Sequence, residues 1–214
     1  MSLTVVGTMA FDEIETPFGK SGKIIGGSAT YIAWAASNFV KPINQVSVIG
    51  EDFPQTELDS LTAKGVALDG VQVKKGEKSF YWSGKYHMDM NTRDSLATEL
   101  NVLADFQPVI PESYQGSEFL ILGNLTPQVQ ISVLDQLKVR PKLIVMDTMN
   151  FWMEVALDDL LKVLKRVDVL MVNDGEARQL SGEYSLVKAA RKILTMGPRY
   201  LIIKKGEHGA LLFF

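Results

Sequence analysis

Cysteine is absent from this sequence of 214 residues. Its absence excludes disulfide bonds, thiolate catalysis and cysteine-ligated metal sites. No apolar stretch reaches the roughly 20 residues that a membrane-spanning helix needs. The first residues also lack the basic region and apolar block of a signal peptide. We therefore expect a cytoplasmic protein without a membrane partner.

An excess of positive charge is absent as well. The chain has 22 Lys and Arg residues against 25 Asp and Glu residues, and its net charge is −3. The basic residues are scattered rather than clustered, so no nucleic-acid partner is expected. A hydrophobic content of 46% is typical of a globular chain that buries a core.

Short apolar runs alternate with helical patterns along the whole chain. The runs predict buried strands at residues 3–6, 46–49, 119–122, 143–146, 167–172 and 200–203. The helical patterns lie at residues 26–39, 56–64, 126–139, 158–165 and 185–195. This alternation predicts an α/β fold of three layers, with a mostly parallel, doubly wound sheet in a single domain over residues 1–214.

One segment departs from this pattern because its apolar residues recur at every second position. They are Phe80, Trp82, Tyr86, Met88 and Met90, and they indicate a half-buried strand. A second extended segment surrounds the turn glycines at 19 and 22. Together they predict a small antiparallel β lid at about residues 12–25 and 72–92, inserted in the domain. Two interpretations stay open: an edge hairpin without a role, and an apolar flap over a pocket.

The segment Asn-Asp-Gly-Glu at 173–176 follows a buried strand and begins a predicted helix. Ligands bind beyond the carboxyl ends of strands in open α/β sheets, so an amide and a carboxylate here can face a phosphate–magnesium cluster. The same residues also suit a helix cap followed by a capping-box glutamate. Asp147 and Asn150, after the 143–146 strand, are weaker candidates for the same edge, and a plain turn is their alternative.

Three further elements lie at strand ends or helix starts. Asp12 can accept hydroxyl hydrogen bonds from a polyol. Gly26 and Gly27 allow backbone amides to approach a ligand at a helix start. The segment Lys-Lys-Gly-Glu-His-Gly at 204–209 can neutralise and surround a phosphate. A solvated aspartate, a helix entry and a hairpin turn are the respective alternatives.

The order of these motifs resembles the PfkB family of carbohydrate and nucleoside kinases, which has the ribokinase-like fold. The resemblance spans the chain: Val5 to Asp12, the Gly-Gly segment at 26–31, the Gly-x-Asp ending at Asp52, the Asn-x-x-Glu at 173–176 and the turn at 204–209. It implies ATP-dependent phosphorylation of a hydroxymethyl group on a sugar or nucleoside, with Mg²⁺, and a small β lid over the acceptor.

The resemblance also implies roles for individual residues. Acceptor binding falls to Asp12, Gly26, Gly27 and Tyr31, nucleotide binding to Asn173, Lys204, Gly206 and Gly209, and magnesium to Glu176. By analogy, a homodimer forms through the lid. We further expect Asp12 and Glu176 to border one crevice, from the acceptor side and the triphosphate side.

The family's Gly-Ala-Gly-Asp motif, whose aspartate activates the acceptor hydroxyl, does not occur among these residues. We expect that aspartate beyond Phe214, so the domain is C-terminally incomplete, and no catalytic residue is assigned here. Negligible kinase turnover is the corresponding expectation. Tyr31 and Ala10 stand where many family members have Asn, which argues against a simple ribokinase specificity; Phe11 and Tyr31 can instead face a ring such as a nucleoside base.

Two alternatives come from other classes. The chain can be a sugar- or nucleoside-binding module that senses its ligand without catalysis. A Rossmann-type oxidoreductase shares the alternation of strands and helices. It is disfavoured because the first strand is not followed by a Gly-x-Gly-x-x-Gly loop. The absence of Gly-x-Ser-x-Gly likewise disfavours a hydrolase with a nucleophile elbow.

Overall fold

A computed structural model describes residues 1–214, which divide into two compact units, Met1–Tyr114 and Gln115–Phe214. The first unit contains seven strands and two α-helices: β1 (Leu3–Val6), β2 (Ala10–Thr16), β3 (Gly19–Gly26), α1 (Ser28–Ala36), β4 (Ile43–Gly50), α2 (Gln55–Ala63), β5 (Val66–Lys74), β6 (Phe80–Tyr86) and β7 (Arg93–Glu99). Short 3₁₀ helices at Asn101–Leu103 and Glu112–Tyr114 follow.

Two sheets form in the first unit. The parallel strands β1, β4 and β5 lie side by side with β4 in the middle. Every residue of β4 is buried, which is typical of a parallel strand whose sheet is covered on both faces. The second sheet has the order β3-β2-β6-β7. Its two outer pairings are antiparallel, and the central pairing of β2 with β6 is parallel.

The second unit contains five strands and five α-helices: β8 (Phe119–Leu122), α3 (Pro127–Asp135), β9 (Leu143–Asp147), α4 (Asn150–Val155), α5 (Leu157–Leu164), β10 (Val169–Asn173), α6 (Asp174–Ser181), α7 (Leu186–Leu194), β11 (Tyr200–Lys204) and β12 (Ala210–Phe213). A 3₁₀ turn at Gly206–His208 connects the last two strands. The strand order is β12-β11-β10-β9-β8, and only the β11–β12 pairing is antiparallel.

Local sequence signals explain several of these boundaries. Thr126 caps α3 by accepting a hydrogen bond from Val129 N at 3.2 Å, and Pro127 occupies the first turn, as predicted. The helix ends at Asp135, short of the predicted residue 139.

No helix is both long enough and apolar enough to cross a membrane.

The structure corrects the predicted bounds of the small sheet. Residues 72–74 belong to β5 of the parallel sheet, whereas the small sheet continues to Glu99 through β7. The strand β7 is mostly exposed and polar, so it lacks the apolar alternation that marked β6. Met88 and Met90 were predicted to extend the aromatic strand, but both lie beyond β6 and are exposed. They sit in a turn in which Asp89 accepts hydrogen bonds from Asn91 N and Thr92 N.

Candidate active site

Asp12 lies on β2, which begins with the buried residues Ala10 and Phe11. Its carboxylate is partly buried, and it makes no hydrogen bond or ion pair within the protein. Burial raises the pKa of Asp12 above its ordinary value, because nothing nearby compensates the loss of water around the charge. A carboxylate that is desolvated and unpartnered is a candidate ligand-binding group.

Gly26 provides the space that the Asp12 side chain occupies. A Cβ atom at residue 26 would lie 2.1 Å from Asp12 Oδ2 and 2.3 Å from its Cγ. Gly27 has a positive φ of 96°, and a Cβ there would lie 2.4 Å from the carbonyl oxygen of Thr8. The two glycines are therefore required for different steric reasons: Gly26 leaves space for the Asp12 carboxylate, and Gly27 allows the backbone of Thr8 to approach closely.

The start of α1 is tied to the loop after β1. Thr8 Oγ1 accepts a hydrogen bond from Ser28 N at 2.9 Å, and the Thr8 carbonyl accepts one from Ala29 N at 2.9 Å. Tyr31, one turn into the helix, donates its hydroxyl to the Ile25 carbonyl at 3.2 Å and stays 55% exposed. Thus Asp12, Gly26, Gly27 and Tyr31, predicted as acceptor residues, lie on connected elements of one unit.

Trp82 is a neighbour of Asp12 that the sequence analysis did not select as a site residue. The two residues are register partners in the parallel β2–β6 pairing, so their side chains leave the same face of the small sheet. The indole lies over Gly84, where a Cβ would be 2.1 Å from the ring, and its Nε1 donates to Ser95 Oγ at 3.1 Å. Trp82 therefore offers an aromatic surface beside the carboxylate; its period-two pattern was the signal available in the sequence.

Phe11 lies on the other face of β2 and is unavailable to a ligand ring. Only 6% of it is exposed, and its ring packs against Phe53 with centroids 5.7 Å apart. Lys23 Nζ lies 3.7 Å from the centroid of the Phe11 ring. Of the two aromatic residues considered for a nucleoside base, only Tyr31 is accessible.

In the second unit, polar residues follow three adjacent parallel strands. Asn173 ends β10 and is the register partner of Lys204, which ends β11. Asp147 ends β9 and pairs with Met171 of β10. Lys204 Nζ lies 3.3 Å from Asp147 Oδ1. The structure therefore brings an amide, an ammonium group and a carboxylate to the same edge, as predicted for the ends of parallel strands.

Asn173 and Glu176 form a complete capping box at the start of α6. Asn173 Oδ1 accepts from Glu176 N at 2.8 Å, and Glu176 Oε2 accepts from Asn173 N at 2.6 Å. Only 4% of Glu176 is exposed. The predicted alternative for this motif, a helix cap, is therefore present, and a capping box does not by itself exclude a ligand role.

The neighbouring candidates differ in their surroundings. Burial raises the pKa of Asp147, and the Lys204 ammonium group opposes that rise in part. Asn150 begins α4 and donates a hydrogen bond to Gln179 on α6, so it serves helix packing rather than a simple turn. Gly206 and Gly209 have φ values of 57° and 78° in the hairpin turn between β11 and β12. There Lys205 N donates to the Gly209 carbonyl at 2.8 Å.

The residues of this edge fit a magnesium ion that arrives with phosphate. No group of three or more His, Cys, Asp or Glu side chains is arranged as a ready-made metal site. Mg²⁺ in phosphoryl-transfer sites keeps several waters and takes one or two carboxylates plus phosphate oxygens, so a full protein cage is not needed. Glu176 and Asp147 are the carboxylates that this edge supplies.

Comparison with known proteins agrees with this architecture. A cytidine kinase from Thermococcus kodakarensis is 27% identical over 217 residues, which cover 100% of this chain and 76% of that protein. A ribokinase from Cryptococcus neoformans in complex with ADP superposes with a TM-score of 0.77 at 19% identity, over 99% of this chain and 75% of that one. A nucleoside kinase from Burkholderia thailandensis in complex with inosine superposes with a TM-score of 0.74 at 18% identity, over 98% and 72%.

These structures confirm the predicted fold class, a ribokinase-like α/β fold with a mostly parallel sheet and a small antiparallel sheet. The sequence model of the pfkB family carbohydrate kinases matches residues 4–213, nearly the whole chain. A match of this extent confirms the family that the motif order suggested. The chain therefore belongs to the pfkB family of carbohydrate kinases.

Proposed function

We propose that the chain supplies the acceptor and triphosphate sites for ATP-dependent phosphorylation of a hydroxymethyl group on a nucleoside or sugar. The acceptor binds at Asp12, Gly26, Gly27 and Tyr31, and the triphosphate binds at Asn173, Lys204, Gly206 and Gly209. The observation that carries the proposal is the unpartnered, partly buried Asp12 carboxylate above Gly26. The similarity to a cytidine kinase and to nucleoside kinases favours a nucleoside over a free sugar.

The first unit supplies the chemistry for binding an acceptor. Asp12 accepts hydrogen bonds from two hydroxyl groups, and each bond to the charged carboxylate is strong because the group is partly desolvated. Trp82, on the same face, offers its ring to the apolar side of the acceptor. Tyr31 presents an exposed ring beside the glycine pair.

The second unit supplies the charge that a triphosphate requires. Lys204 neutralises phosphate oxygens, and the turn containing Gly206 and Gly209 curls its backbone around them. Glu176 would hold Mg²⁺ at this edge, and Asn173 would contact the phosphate that is transferred. The ion would supply positive charge that offsets the charge of the phosphate oxygens.

Isothermal titration calorimetry with cytidine, inosine and D-ribose tests the acceptor site. We expect Asp12→Asn to weaken acceptor binding by roughly 10- to 100-fold, since one or more charged hydrogen bonds are lost. Glu13→Gln is the matched control, because Glu13 follows directly on β2 but faces the other way and accepts from Tyr81 Oη at 3.0 Å. Equal affinities for Asp12→Asn and the unmodified chain would refute the assignment.

Further predictions concern the location, domain organisation and oligomeric state of the protein. A cytoplasmic location, a single domain over the whole chain and a homodimer through the small sheet stay predictions. So does the shared crevice bordered by Asp12 and Glu176. Light scattering after gel filtration tests the dimer, and a crystal structure with cytidine and a magnesium–nucleotide complex tests the crevice.

A further inference from the structure

Asp52, in the turn after β4, binds the residue that directly precedes β6. Its Oδ1 accepts hydrogen bonds from Ser79 N at 2.7 Å and from Ser79 Oγ at 2.8 Å. Ser79 is almost fully buried, with 1% of its surface exposed. Two hydrogen bonds from one residue to a carboxylate fix the start of β6 firmly, because bonds to a charged acceptor are stronger than neutral ones.

The other oxygen of Asp52 lies near β3. Asp52 Oδ2 lies 3.8 Å from Lys23 Nζ, and Lys23 is on β3. The strand β2, which carries Asp12, lies between β3 and β6. A single carboxylate therefore contacts elements on both sides of the strand that presents Asp12.

Surrounding contacts make this junction rigid. Gly50 N donates to Ser79 Oγ at 2.9 Å, and Asn101 Nδ2 donates to the Ser79 carbonyl at 3.0 Å. The backbones approach so closely that a Cβ at Gly50 would lie 2.4 Å from the carbonyl oxygen of Glu77. Because Ser79 directly precedes β6, contacts that hold Ser79 in place also hold the start of β6. The hydrogen bonds between β6 and β2 extend this constraint to the strand that carries Asp12.

We propose that Asp52 is a positioning residue for the acceptor site. It sets the location of the Asp12 carboxylate by fixing the start of β6, the strand that pairs with β2. This inference rests on the proposed function, because it takes Asp12 as the group that binds the acceptor. Asp52 acts through the sheet: its Oδ1 accepts both hydrogen bonds from Ser79, and its Oδ2 lies 3.8 Å from Lys23 Nζ.

Titration of the unmodified chain and three variants with cytidine, inosine and D-ribose, and separately with magnesium–ATP, tests the proposal. Asp52→Ala is expected to weaken acceptor binding about tenfold while magnesium–ATP affinity stays within about twofold, since one or two hydrogen bonds that position the site are lost. Asp52→Asn is expected to restore most of the acceptor affinity, because its amide oxygen still accepts from both Ser79 donors. Asp59→Ala, on α2, is the control for removing an exposed aspartate nearby.

The outcomes separate this inference from the function on which it rests. Acceptor binding by Asp52→Ala at the affinity of the unmodified chain would overturn the positioning role. A parallel loss of acceptor binding, magnesium–ATP binding and thermal stability would also overturn it, as that pattern indicates general damage. Failure of the unmodified chain to bind any of the three acceptors would instead refute the proposed function itself. If Asp52→Ala does not fold, Ser79→Ala decides the question, with a several-fold loss of acceptor affinity expected and no loss contradicting the proposal.

Discussion

The two units differ in whether their polar candidate residues already have partners within the protein. In the first unit, the Asp12 carboxylate has no partner, and its burial raises its pKa. In the second unit, Asn173 and Glu176 satisfy each other in a capping box, and Asp147 pairs with Lys204. Asp12, the proposed acceptor-binding carboxylate, thus has no partner within the protein, whereas Asn173, Glu176 and Lys204, proposed for the triphosphate side, already form contacts in the folded chain.

This difference has an energetic meaning. An unpartnered, partly buried charge destabilises the folded state, and a ligand that donates hydrogen bonds relieves that cost. A capping box stabilises the helix that it begins, so its residues are retained in the fold whether or not they bind a ligand. Substitutions in the first unit should therefore separate binding from stability more cleanly than those in the second.

Gly26→Ala should have the largest effect, because the new Cβ would displace the Asp12 carboxylate. We expect acceptor affinity to fall by roughly 10- to 100-fold, the same range as for a lost charged hydrogen bond. Calorimetry on a double-mutant cycle with Asp12→Ala measures the coupling. In the Asp12→Ala background, Gly26→Ala should change affinity by less than about twofold, since the displaced group is gone. Full additivity would show that Gly26 acts independently of Asp12.

Substitution of Glu176 separates its capping role from its proposed magnesium role. Glu176→Gln keeps an oxygen that accepts from Asn173 N, so its melting temperature should stay close to that of the unmodified chain. Glu176→Ala loses that bond and should cost about 1–2 kcal/mol of unfolding free energy. Both variants should lose the gain in ATP affinity that Mg²⁺ gives, measured by titration with and without EDTA. Unchanged Mg²⁺ dependence in Glu176→Gln would argue against the metal assignment.

Asp12→Asn should raise stability while it weakens acceptor binding. Because the folded-state pKa of Asp12 is raised above its ordinary 3.8, the folded state binds the proton more tightly than the unfolded state. The contribution of Asp12 to the free energy of unfolding therefore falls as the pH rises from 3.8 through the raised folded-state pKa. At neutral pH, where the Asp12 carboxylate is charged, Asp12→Asn should therefore melt at a higher temperature than the unmodified chain.

The advantage of Asp12→Asn should shrink as the pH falls through the raised folded-state pKa of Asp12 and should vanish below 3.8, where the carboxyl is neutral in both the folded and the unfolded state. Melting curves of both chains between acidic and neutral pH measure this trend. Glu13→Gln, which removes a carboxylate from the opposite face, provides the comparison. An Asp12→Asn chain that is less stable at neutral pH would show that Asp12 has a stabilising partner.

The order of strands and helices could be predicted because buried parallel strands are continuous apolar runs, as in β8 and β11. Elements with weak periodicity were missed. Asp69 and Gly70 interrupt the apolar pattern of β5, and α4 has only six residues. The predicted extent of the small sheet was wrong for the same reason, because the polar sequence of β7 is typical of a loop.

For the site, residue type and position at strand ends or helix starts were sufficient to select Asp12, Gly26 and Asn173. The sequence did not reveal that Trp82 lies beside Asp12. That relation depends on the register between β2 and β6, which are separated by more than 60 residues along the chain. The Asp147–Lys204 ion pair likewise depends on the neighbourhood of three strands.

The sequence by itself determined the family and the identity of the candidate ligand groups, because motif order and strand periodicity are properties of the chain alone. Only the tertiary structure decided which groups are satisfied and which are open. Whether a carboxylate is paired depends on contacts between residues distant in sequence: Asp52 with Ser79 and Lys23, Asp147 with Lys204, and no partner for Asp12. The reason is that hydrogen bonds and burial are set by packing in three dimensions, whereas residue spacing records only local geometry.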